Sequence, residues 1–260
     1  MENSSSDLTR ETDYFISRLK DGVLVFNIKG NMMIHQTSIK AKETVLSFLE
    51  QAEKDDRVRV VVVMPLPRKP RREEYLDFFS MVASNRLSES SVMRLFRAID
   101  QVILQVLSSD KFFLSANCGQ VLPMFIGMSL AFDYRILGDN TAIQNPSLEM
   151  GLAPKGGAPF FLSQTIGRGK VYDLLLAQKD ISAEEALEIG LADRLVPWET
   201  FEEDVIEIAA RFAARPPSSL RLVKRLINFS IGGLESYLEY ENRQLIKAMH
   251  QVKGKVGSKE

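Results

Sequence analysis

The chain carries two histidines and one cysteine in 260 residues. A single thiol excludes an intrachain disulfide framework and points to a reducing compartment. Cys118, His35 and His250 lie far apart in sequence, which leaves almost no vocabulary for a zinc site. An excess of either charge is also missing. Thirty-three Lys+Arg stand against thirty-four Asp+Glu, so no whole-protein attraction to nucleic acid or an anionic membrane is expected, although a local basic patch stays open. No apolar run approaches the roughly 20 residues of a membrane span. The opening MENSSSDLTRETD has no apolar core of a secretory leader. The expectation is a cytoplasmic chain with neither nucleic acid nor membrane as partner.

Hydrophobic residues make up 45% and charged residues 26% of the sequence, the proportions of an ordinary globular protein. The length fits roughly one to two domains and allows about 70–75% of the unfolded surface to be buried. The spacing predicts a polar, flexible tail over 1–13, an α/β core over 14–197 and a helical region over 198–260. Gly22–Ile28 and the β-branched run Val58–Met64 read as strands of a buried parallel sheet. Ser38–Lys54 between them has apolar residues at helical spacing, so a crossover connection is expected. A proline-rich basic loop, Pro65–Arg72, precedes helical patterns at Glu73–Ser84 and Ser91–Leu107. Lys111–Ala116 is a further strand, Pro123 opens an apolar helix to about Phe132, and strand-like segments follow at Tyr134–Leu137 and Ala142–Asn145. Ser182–Glu185 is a capping box, its helix is expected to stop at Gly190, and Arg194–Pro197 reads as a short strand. Two or three amphipathic helices finish the chain.

Several segments, in order, carry a resemblance: Asp55–Val63, Lys111–Gly119, Asp133–Ile136, Ile166–Lys170, Asp173–Ala177, Ile181–Ala186, Gly190–Pro197 and Pro216–Lys224. Together they resemble the crotonase (enoyl-CoA hydratase/isomerase) superfamily, and the likeness runs from about Tyr14 to Met249. The resemblance implies an α/β fold, a crotonase-like spiral of ββα units in two sheets with a helical C-terminal trimerisation region. It also implies a homotrimer or homohexamer, an acyl-CoA thioester as substrate or ligand, and no metal or redox cofactor. Two backbone N–H groups would hold the thioester oxygen and stabilise an enolate, because preorganised donors act most strongly where charge develops.

Carried over position by position, the resemblance puts one oxyanion donor at Met124, in Leu122-Pro-Met-Phe-Ile-Gly127. A proline-started helix leaves N–H groups free there. Met124 and Phe125 stand where the family has glycine, so the alternative is a helix start packed shut. The second donor falls near Glu74, in a stretch without the family's small residues. The two glutamates with which family hydratases manage water map onto Gly127 and Ser147, neither of which is a carboxylate. Ordinary two-glutamate hydration is therefore not expected.

Relocated groups are conceivable. Lys155, in the turn Pro154–Gly157, occupies a position acidic in some family isomerases. Desolvated, it would serve as base or cation; otherwise it is a solvated turn lysine. Glu149 shares an extended face with Ser147, or is a surface glutamate. Arg68, Lys69, Arg71 and Arg72 suit CoA phosphates, or form a solvated face beside Glu73 and Glu74. His35 and Cys118 read as structural. After His250 the chain looks too short and too glycine-broken for the family's closing helix. Two functional readings remain: an acyl-CoA isomerase, hydrolase or lyase with relocated acid–base groups, or an inactive paralogue that binds acyl-CoA or serves as a structural or partner subunit.

Overall fold

The computed structural model describes residues 7–29, 38–65, 71–84, 86–144, 151–176 and 180–257. The chain opens with an antiparallel meander, β1 (Arg10–Glu11), β2 (Phe15–Lys20) and β3 (Val23–Ile28). Residues 7–13, expected as the end of a flexible tail, are built into this unit: Leu8 is buried and Glu11 sits opposite Ile16. Strand β2 escaped the sequence reading because Arg18 and Lys20 hide an alternation that buries Phe15 and Ser17. Asp21 and Gly22 make the tight turn to β3, both at positive φ.

Helix α1 (Ile39–Lys54) then crosses over to β4 (Val60–Pro65), which pairs parallel with β3. Helix α1 buries Ala41, Val45, Phe48, Leu49 and Ala52, the one-sided stripe expected of a helix lying on a sheet. Helices α2 (Arg71–Ala83) and α3 (Glu89–Ser108) lead to β5 (Phe112–Asn117), parallel to β4. The α3 N-cap is Ser88, whose side chain accepts from the Ser91 N–H.

Strand β6 (Gln120–Val121) and helix α4 (Pro123–Ser129) precede β7 (Tyr134–Gly138), which is parallel to β5. Strand β8 (Ala142–Ile143), helices α5 (Ala158–Thr165) and α6 (Arg168–Leu176), strand β9 (Ile181–Ser182) and helix α7 (Ala183–Glu188) follow. The Ser182–Glu185 capping box is present in full, and Gly190 ends the segment at φ 79°. Strand β10 (Arg194–Val196) adds parallel to β7. Helices α8 (Phe201–Ala213), α9 (Pro217–Asn228) and α10 (Leu234–Gly257) complete the described chain.

The result is a seven-stranded sheet, β1-β2-β3-β4-β5-β7-β10, and a three-stranded sheet, β6-β8-β9. This is the α/β arrangement of strands and helices expected from the sequence. Helix α8 lies on β3, β4 and β5, while Phe15, Phe26 and Phe48 stack on the opposite side with ring centroids 4.6–5.4 Å apart. Helix α10 continues through Gly254 to Gly257, correcting the expectation of a glycine break after His250. A lone glycine costs a helix interior only about 1 kcal/mol. Among the described residues no helix is long and apolar enough to cross a membrane.

Candidate functional site

Strands β3, β4 and β5 run parallel, so their carboxyl ends meet at one edge of the sheet. The crevice outside such ends is where open α/β sheets bind ligands. Three segments leave this edge: the one following Ile28, the one following Pro65, and Cys118–Leu122, which leads into α4. His35, Arg68 and Lys69 lie outside the described residues, as do Ser147 and Glu149.

Leu122 caps α4 in an extended conformation and Pro123 occupies its first position. The N–H groups of Phe125 and Ile126 both turn back to the Leu122 carbonyl, at 2.9 and 3.2 Å. That leaves the Met124 N–H without an acceptor among the described residues, as expected for the first turn of a helix. The Met124 side chain is buried in the same apolar cluster as Phe78, Phe96, Leu122 and Phe161, and Phe125 packs half-buried against it. The methionine thus fills core. Helix α4 ends at Ser129 rather than near Phe132. The Ser129 hydroxyl donates to the Ile126 carbonyl at 2.7 Å, and the next residues form tighter turns, Ala131 N–H to Met128 O and Phe132 N–H to Ser129 O.

Helix α2 shares that cluster through Tyr75, Phe78 and Phe79 and lies against β6, the strand that precedes α4. Arg71, Arg72 and Glu73 occupy its first three positions. Their N–H groups belong to the turn that a helix leaves unpaired, and Glu74, expected near the second donor, is the next residue.

Lys155 is not a solvated turn lysine. It is 5% exposed, and its ammonium meets two carboxylates, Asp100 of α3 and Glu241 of α10. The Glu241 contact is 2.7 Å. The two Glu241 oxygens also accept the Gly156 N–H at 3.3 Å and the Gly157 N–H at 3.1 Å. The Asn242 amide donates to Asp100 at 2.6 Å, and the Tyr237 hydroxyl lies 3.5 Å from Glu241. Burial pushes the Asp100 carboxyl above the ordinary carboxylate range, against the opposing pull of Lys155 and Asn242. Burial, reinforced by the charge of Glu241, likewise raises the Tyr237 phenol.

No local motif announced this cluster. Asp100, Lys155 and Glu241 come from three separate parts of the chain and meet only through the packing of α10 on α3. A cavity of about 480 Å³ opens beside it, between α3 and α10, walled by Arg97, Asp100, Leu238, Asn242 and Arg243 among others. It does not touch α4.

A sequence profile of the enoyl-CoA hydratase/isomerase family matches residues 35–259. The chain belongs to that family. A probable enoyl-CoA hydratase of Mycobacterium tuberculosis is 27% identical over 216 residues, 81% of this chain and 74% of the relative. A 4-chlorobenzoyl coenzyme A dehalogenase of an Arthrobacter species is 30% identical over 149 residues, 57% of this chain and 54% of that one. In three dimensions, an enoyl-CoA hydratase from Bacillus halodurans matches with a TM-score of 0.80 at 19% identity, over 94% of this chain and 99% of the other.

Gly127, the position expected to correspond to the first hydratase carboxylate, lies within helix α4. Here it is a packing glycine. A Cβ at that position would lie 2.8 Å from the Gly156 carbonyl oxygen and 3.0 Å from the Ala158 nitrogen. The turn presses on α4 from the other side as well, since a Cβ on Gly156 would lie 2.6 Å from the Met124 carbonyl oxygen. No side chain of any kind fits between them.

Proposed function

We propose that the chain binds an acyl-CoA thioester in the crevice at the β3–β5 edge, with its carbonyl oxygen held by the Met124 N–H and by a second N–H from the first turn of α2. The observation that carries this reading is the unpaired Met124 N–H behind Pro123, in a chain of the enoyl-CoA hydratase/isomerase family. Donors fixed in place before the ligand arrives stabilise negative charge on the thioester oxygen without reorganisation, so the site favours an enolate. The basic residues Arg68, Lys69, Arg71 and Arg72 lie in and just after the segment that follows β4 in sequence, and they supply donors of the kind that suit CoA phosphates.

Hydration by two glutamates is not part of the proposal. Glycine at position 127 moves no proton, and the tight seat against Gly156 and Ala158 leaves no space for a Cβ at that position. Lys155 is held by Asp100 and Glu241. An isomerase, hydrolase or lyase step would draw its acid–base group from elsewhere at the site. The second reading, a paralogue that binds acyl-CoA without turnover, is favoured by the same filled position. Helix α9 turns Leu222, Val223, Leu226, Ile227 and Phe229 to solvent, and this face supports assembly as a homotrimer or homohexamer.

Calorimetric titration with crotonyl-CoA and with free CoA tests the reading. Saturable binding of both, tighter for the thioester, and no loss of the enoyl absorbance on prolonged incubation are expected. Steady hydration of crotonyl-CoA would overturn the mechanism, and failure to bind either compound would overturn the ligand class.

A further inference from the structure

The cluster around Lys155 ties the C-terminal helix to the oxyanion donor. Glu241 reaches from α10 to three consecutive residues, taking the Lys155 ammonium and the Gly156 and Gly157 N–H groups with its two oxygens. Asp100 and Asn242 brace it from α3 and α10. The turn so held is built of two glycines at positive φ, 101° and 74°, a conformation that side chains resist. It is wedged against α4, with room for no Cβ between Gly156 and the Met124 carbonyl or between Gly127 and the Gly156 carbonyl. Turn and helix therefore move together or part. A buried charge cluster is weak evidence for stability, because desolvation offsets its Coulomb attraction. Its better use is to select a single arrangement of the pieces it joins.

We propose that Lys155, Asp100 and Glu241 form a lock through which α10 sets the backbone at the start of α4, so that Glu241 and Lys155 are positioning residues for the Met124 N–H. The proposal rests on the acyl-thioester reading above and adds to it that the C-terminal helix controls thioester binding from outside the crevice. The coupling runs through a contiguous chain of packed and hydrogen-bonded groups, with the turn either seated against α4 or parted from it as the two arrangements.

The test uses Glu241→Gln in the full chain, with two readouts. Amide hydrogen exchange without ligand is expected to speed up in α4 and in the 155–157 turn, while β3, β4 and β5 keep wild-type rates. Titration is expected to show crotonyl-CoA affinity falling about tenfold with free CoA affinity unchanged, a loss in the usual range of coupling between sites. Unchanged exchange in α4 while α10 loosens, or uniform acceleration across the sheet, would overturn the lock. Equal losses for crotonyl-CoA and CoA would overturn it too. If Glu241→Gln does not fold, Lys155→Gln replaces it, because the Glu241 bonds to the two glycine N–H groups remain. If the wild-type chain binds no crotonyl-CoA, the acyl-thioester reading fails, whereas the exchange comparison still decides the lock.

Discussion

A Cβ atom at position 127 would meet the Ala158 Cβ at 3.1 Å as well as the Gly156 carbonyl, so any side chain there forces the turn or the helix to shift. Gly127→Glu is expected to lower unfolding stability by about 1–3 kcal/mol, the usual cost of forcing atoms into a packed interior, and to bring no hydration of crotonyl-CoA. Denaturant unfolding and an absorbance assay check both parts; hydration gained at unchanged stability would contradict the account. Asp100 gives a prediction about pH. Its folded carboxyl binds a proton more readily than the unfolded chain's, which titrates at about 3.9. Acidification from neutrality therefore protonates the folded form first and adds stability, and the gain ends once the unfolded residue also protonates. The stability difference between wild type and Asp100→Asn is expected to rise as pH falls from about 7 to about 4. A fall over the same range would show that Lys155 outweighs burial. At this scale the sequence was a partial guide. Met124 and Gly127 fall in the helix that Pro123 opens, as the sequence predicts. The fate of Lys155 could not be read there, because its partners are long-range neighbours that no spacing rule brings together.

Among the elements, those with a strong local signal were legible. The run Val60–Met64, the α1 stripe, the Ser182–Glu185 box and the Gly190 stop all follow from residue chemistry. Strand β2 was missed because half its residues are charged or polar, and the length of α4 was overestimated because Ser129 ties back to Ile126 and ends the helix. Helix α9 has a different lesson. It sends Lys224 inward, 4% exposed, to Asp133 at 2.8 Å and the Lys111 carbonyl at 2.9 Å. Arg225 and Arg221 pair with Asp110. The apolar residues are left outside, with Phe229 90% exposed. An amphipathic helix with its polar side buried needs a cover for the other side. Wild-type protein is expected to measure as a trimer or hexamer by light scattering, and Leu226→Glu with Phe229→Glu to measure as a monomer. A monomeric wild type would contradict this.

Over the whole molecule, the start of α4, the 155–157 turn and α10 form one connected arrangement around the Met124 N–H proposed as the thioester donor. The family fold was legible from ordered segments spread along the chain, since each is a local strand, cap or helix start. The surroundings of Gly127 and Lys155 were not legible, because close packing and a long-range ion cluster leave no local pattern in the sequence. The central claim is that the thioester oxygen is held by the Met124 N–H. The most direct test is carbon-13 NMR of crotonyl-CoA labelled at the thioester carbonyl and bound to the protein. The account predicts a downfield shift of the bound carbonyl, because hydrogen bonding polarises it. A bound ligand whose carbonyl resonates as it does in water would contradict it.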